Sequence, residues 1–145
     1  MDQKTFEHLR ASVWPLLEEV YSLPGGILNA IAGVETGGTY NARARNAASG
    51  AAGLFQLTPI TLEQLRLDTG INFDPFAPGA ASAAAALLLR RHLRTFRGDV
   101  SLALAAYNAG EGRVKRFLRE VQAQGSGSLP IETARYIKKV TGALG

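Results

Sequence analysis

Where apolar residues recur in this chain they fall three or four apart, and no stretch alternates apolar with polar long enough to demand a strand. That spacing gives each segment one apolar stripe and predicts a mostly α-helical protein. Thr5 is placed to cap a first helix carrying Phe6, Leu9, Val13, Leu16, Leu17 and Val20 on its inner face. Pro15 interrupts it and predicts a kink or two shorter helices. Leu23-Pro-Gly-Gly26 breaks the chain before a short apolar helix from Ile27 to Glu35, which Gly37-Gly38 ends. Residues 36 to 52, rich in Gly, Ala, Asn and Ser, read as an irregular loop. Thr58-Pro59 pairs a capping side chain with a proline at the first helical position and starts a helix to about Leu67. Further helices are expected over about Ala80–Phe96, Val100–Asn108 behind Asp99, Arg113–Gln122, and from Pro130 to Thr141. With 145 residues, 46% of them hydrophobic, and no repeat, one domain spanning 1–145 is the economical reading.

Composition removes several classes of function. There is no cysteine, hence no disulfide scaffold, thiolate zinc site or cysteine nucleophile. The most apolar run, Ala80 to Leu89, is too short to span a bilayer and leads into Arg90, Arg91 and His92, so no membrane insertion is expected. The N-terminus lacks a basic start followed by an apolar run, so no secretory signal is read there. A chain of this kind stays in the cytoplasm, leaves by another route, or has lost a leader. The formal net charge of +4 reads either as an ordinary soluble surface or as attraction to an anionic polymer, of which nucleic acid and the bacterial envelope are examples. No helix presents a basic, base-reading pattern and aromatics are only 8%, which argues against nucleic acid.

Glu35 stands apart. It ends a strongly apolar helix and is the only acidic residue between Glu19 and Glu63. A carboxylate at a helix C-terminus opposes the helix dipole. Apolar surroundings would raise its pKa and keep it protonated, as a general acid must be. Gly37, Gly38, Gly50 and Gly53 give the following loop room either for turns or for a bulky ligand. These residues alone define an acid beside a cleft, without naming a reaction.

Four segments, in order, carry a resemblance: Glu35-Thr-Gly-Gly38, Gly53-Leu-Phe-Gln-Leu-Thr-Pro59, Leu104-Ala-Ala-Tyr-Asn-Ala-Gly110 and Leu129-Pro-Ile-Glu-Thr-Ala-Arg-Tyr136. Together they resemble the soluble lytic transglycosylases, which are related in fold to goose-type lysozyme, over roughly Leu23 to Val140. The resemblance implies a lysozyme-like helical fold with a groove for peptidoglycan glycan strands. It implies that Glu35 is the catalytic acid and that Thr36, Gln56, Tyr107, Asn108 and Tyr136 bind substrate. Thr36 stands where the family usually has serine, and Phe55 where it has methionine. No metal or cofactor is implied, and a monomer is expected.

The implied reaction cuts the MurNAc–GlcNAc β-1,4 bond and closes a 1,6-anhydro ring, with Glu35 as the single acid and base. Most glycosidases use two carboxylates. The next acids, Glu63, Asp68 and Asp74, fall on a helix surface and in a turn-rich loop. Two alternatives stay open: a goose-lysozyme-like muramidase that hydrolyses the same bond, and an inactive peptidoglycan-binding module. The implied place of action is the periplasm or wall, reached through a phage particle, phage lysis or a secretion apparatus.

Overall fold

The computed structural model describes residues 1–144. The chain packs as two compact units, one up to Leu88 and the other from Leu89 onward. The first holds α1 (Gln3–His8), α2 (Trp14–Val20), α3 (Ile27–Glu35), α4 (Pro59–Thr69) and the start of α5 (Pro78–Thr95). The second holds the end of α5, then α6 (Val100–Ala109), α7 (Glu111–Gln124) and α8 (Ile131–Leu144). Among the described residues no strand forms. The loop between α3 and α4 carries only isolated antiparallel bridges, from Ala52 to Arg45 and to Leu57.

The break expected at Pro15 is a π-helical turn, Leu9–Val13, between α1 and α2. Pro15 has no N–H to return to Ala11, and the preceding turn widens so that the Trp14 N–H reaches the Leu9 carbonyl. One extra residue in a turn rotates everything after it by about 100°. The buried positions are consequently Leu9, Trp14 and Glu18, spaced five and then four apart. This corrects the expected apolar face: Leu16 and Val20 are 61% and 63% exposed. It also corrects the cap, because Asp2, not Thr5, holds the start of α1 by accepting from the Thr5 N–H at 2.7 Å.

Trp14 is the anchor of the first unit. Its ring meets Phe6 and Phe55 edge-on, with centroids 6.2 and 6.1 Å apart. Its indole N–H donates to Ser82 Oγ at 2.9 Å, so the buried polar atom is satisfied. Ile27, Leu28, Ile31, Leu54 and Leu57 are fully buried in the same unit. Thr58 and Asp99 cap α4 and α6 as expected, accepting from the N–H groups of Thr61 and Leu102.

In the second unit Phe96, Ala105, Ala106 and Val114 form a core, with Leu102, Leu129 and Ile137 packed against it. The buried alanines of α6, Ala103, Ala105 and Ala106, leave room for α7 and α8 to pack against it. His92 is buried beside Glu111, Nδ1 to Oε2 2.9 Å. Burial pushes its imidazole pKa down and the Glu111 carboxylate partly offsets this. A neutral ring can still donate Nδ1–H across that contact. Among the described residues no helix is long and apolar enough to cross a membrane.

Candidate active site

Helix α3 positions Glu35, and its start is held by a carboxylate that the sequence did not single out. Glu18, only 7% exposed, accepts from the N–H groups of Gly26 and Leu28, each at 3.0 Å. These are first-turn donors with no partner inside the helix. A negative charge there also complements the helix dipole. Glu18→Ala removes the acceptor for both donors, and Leu28 is fully buried. The expected loss is about 2–4 kcal/mol of stability, read from urea unfolding. Glu18→Gln, which keeps one acceptor oxygen, is expected to lose clearly less.

Glu35 is the last residue of α3 and is partly buried. Thr36 follows it, buried, with its hydroxyl donating to the Ala32 carbonyl at 2.7 Å and accepting from the Tyr40 N–H at 2.9 Å. The Thr36 hydroxyl proton is therefore engaged within the fold, and the residue fixes the turn that carries the chain away from Glu35. Gln56 lies further along the loop in the left-handed region, φ 49°. Its amide nitrogen donates to the carbonyls of Ala44 and Gly53 at 3.1 and 2.9 Å. Towards a ligand, Gln56 offers its Oε1 as an acceptor.

The glycines of this loop divide in function. Gly37 and Gly38 have open space where a side chain would start. Gly53 does not: the Pro75 carbonyl oxygen occupies that space, 1.7 Å from where a Cβ would lie. The sequence left ligand approach open at all four glycines; at Gly53 the room is taken by the protein's own backbone.

The second unit brings three expected residues together. Tyr107 and Tyr136 lie near-parallel, 7° between planes and 6.4 Å between centroids. Next to Tyr107, Asn108 accepts at Oδ1 from the Thr133 hydroxyl at 2.8 Å. Asn108 does not cap its own helix; Gly110 ends α6. Thr133, Tyr136 and Val140 form the buried stripe of α8. Sequence reasoning missed Thr133; its place inside the fourth recognisable segment, three residues before Tyr136, is the one signal that points to it.

Other carboxylates of the first unit have structural partners. Glu63 is exposed and forms a two-point ion pair with Arg66, at 2.6 and 2.9 Å, which holds its pKa down. Asp74 accepts from the Phe76 N–H at 2.9 Å. Among the described residues no three His, Cys, Asp or Glu gather as a metal site.

Comparison with known proteins places these features in a family. The model of the Transglycosylase SLT domain matches residues 13–128. Membrane-bound lytic murein transglycosylase D of Escherichia coli is 38% identical over 97 residues, 62% of this chain and 22% of that protein. The lytic transglycosylase Slt of Pseudomonas aeruginosa, solved as an inactive glutamate-to-glutamine variant, superposes with a TM-score of 0.77 at 25% identity. That likeness covers 96% of this chain and 24% of the other. The 70 kDa soluble lytic transglycosylase of E. coli has the same fold, TM-score 0.72 at 23% identity over 89% of this chain and 23% of that one. The chain thus spans roughly a quarter or less of each relative's length. The resemblance drawn from four short segments is borne out, although the fourth lies beyond the matched span. On the match over residues 13–128, the chain belongs to the Transglycosylase SLT domain family.

Proposed function

We propose that this chain is a catalytic domain that cleaves peptidoglycan glycan strands by transglycosylation, with Glu35 as the one acid and base. The observation that carries the proposal is a partly buried carboxylate ending an apolar helix inside a Transglycosylase SLT domain. The names of the relatives support the substrate and reaction class. That a glutamate-to-glutamine variant of the Pseudomonas protein is inactive supports a carboxyl group as the reacting one.

Glu35 donates its proton to the oxygen that bridges MurNAc C1 and GlcNAc C4. The C1–O bond breaks and GlcNAc leaves with a free 4-hydroxyl. The substrate's own acetamido oxygen stabilises the positive charge at C1. The C6 hydroxyl then closes on C1, and its proton returns to the Glu35 carboxylate, which restores the acid. No water enters and no second carboxylate is needed. The commitment of Glu63 to Arg66 and of Asp74 to its own turn supports this one-carboxylate route over hydrolysis. Gln56 accepts from sugar hydroxyl or amide groups, while Tyr107, Asn108 and Tyr136 bind and orient the sugar. Thr36 contributes by holding the turn after Glu35.

Mass spectrometry of purified peptidoglycan digested with the protein tests this. The expected products end in 1,6-anhydroMurNAc, lighter by one water than a hydrolytic end. Reducing MurNAc ends would make the protein a muramidase, and undigested strands would leave a binding module.

A further inference from the structure

We infer that Thr133 is a positioning residue that fixes which face of the Asn108 side-chain amide meets the substrate; the inference rests on the proposed function of Asn108 in sugar binding. A threonine hydroxyl in a helix usually bonds back to the carbonyl four residues earlier. Thr69, Thr141 and Thr36 do so here, each at 2.7 Å from Leu65, Ile137 and Ala32. Thr133 sends its proton across to another helix, to Asn108 Oδ1 at 2.8 Å.

The amide of asparagine has two unlike ends, an acceptor oxygen and a donor nitrogen, and free rotation would present either. Thr133 is 1% exposed, so water does not compete for its proton. A donor placed there selects the oxygen. Oδ1 is held inward, and the Nδ2 hydrogens, which diverge from it in the same plane, are left to donate to an acceptor outside. Asn108 is itself only partly buried, so that second end is within reach of a ligand. The acceptors of a glycan are its hydroxyl, ring and acetamido oxygens. The Tyr107–Tyr136 pair, one residue earlier on α6 and three residues later on α8, gives these two helices a second contact beside that of Thr133 with Asn108.

The test uses Thr133→Val, which keeps size and branching but has no hydroxyl, and Thr133→Ser, which keeps the hydroxyl. Asn108→Asp keeps the acceptor but has no amide donor. Cleavage of purified glycan strands is measured with each, together with the side-chain amide NMR signals of Asn108. Thr133→Val is expected to lower kcat about tenfold with KM changed less than about twofold. It should also merge or shift the paired Asn108 amide signals. Thr133→Ser should restore both readouts to within about twofold of the parent. Asn108→Asp should lower kcat at least as far, and adding Thr133→Val to it should lower it no further. Full kcat in Thr133→Val, or equal losses in the Val and Ser variants, would overturn the inference. If the parent protein cleaves nothing, the proposed function fails instead. The amide signals then decide the positioning alone, for it if they change in Val and not in Ser, against it otherwise.

Discussion

Glu35→Gln is expected to lower glycan cleavage by at least about a thousandfold, the upper part of the range for loss of a general acid and base. In the proposed reaction one carboxyl group does both jobs. It protonates the leaving oxygen and later takes the proton of the C6 hydroxyl, so its loss removes both transfers at once. Glutamine is nearly isosteric and can hold the same place, but it has no proton to give at neutral pH. Folding should not suffer. Glutamine keeps the shape of the side chain and replaces the protonated acid at the end of α3 without adding or removing a charge. The variant should melt at about the parent temperature while failing to clear a suspension of bacterial walls. This pairing separates a catalytic role from a structural one. A variant that clears walls at the parent rate rejects the assignment of Glu35, whatever its melting temperature. Glu35→Asp provides a finer reading. It keeps the acid but withdraws it by one methylene, and a displacement of about 1 Å from the reacting atoms can lower a rate about a hundredfold.

Helix positions were legible because they depend on neighbours in sequence. Thr58 with Pro59 and Asp99 before Val100 marked helix starts, since capping needs only a side-chain oxygen within reach of the next few N–H groups. The burial pattern of the first segment was not legible. The sequence showed that Pro15 must disturb the helix, but not that the disturbance is a single wide turn. That turn moves Trp14 inward and Leu16 and Val20 outward. Glu18 was hidden for a related reason. Beside Glu19 it looks like any exposed helical acid, and only the rotation and the approach of α3 turn one of the two inward. In the site, the motif-bearing residues were legible by kind while their hydrogen bonds were not. Gln56, expected to face sugar, has its amide nitrogen tied to two loop carbonyls, and only its oxygen remains to do so. Thr133 passed without a role because its partner lies 25 residues away on another helix.

The loop that carries Gln56 depends on one position that admits no side chain, and Gly53→Ala is expected to destabilise the protein by more than about 4 kcal/mol. Two effects combine. The backbone at Gly53 has φ 81°, a region where a Cβ is disfavoured by about 1–2 kcal/mol. The larger effect is collision, because a Cβ there would lie 1.7 Å from the Pro75 carbonyl oxygen and 2.7 Å from its carbon. Those are backbone atoms, which cannot swing aside as the end of a lysine could. Gly53 cannot retreat either. Its N–H donates to the Ala44 carbonyl at 2.7 Å, and its own carbonyl accepts from both the backbone and the side-chain amide of Gln56. Relief of the clash must break some of these bonds, and with them the placement of Gln56. For a chain of this size the melting temperature should fall by more than about 10 °C, and wall cleavage should fall with it even below the melting range. Gly38→Ala isolates the collision. Its φ of 83° is nearly the same, but nothing lies within 4 Å of the added carbon, so only the conformational part should remain, about 1–2 kcal/mol. Equal losses in the two variants would mean that the approach of Pro75 does not constrain this loop.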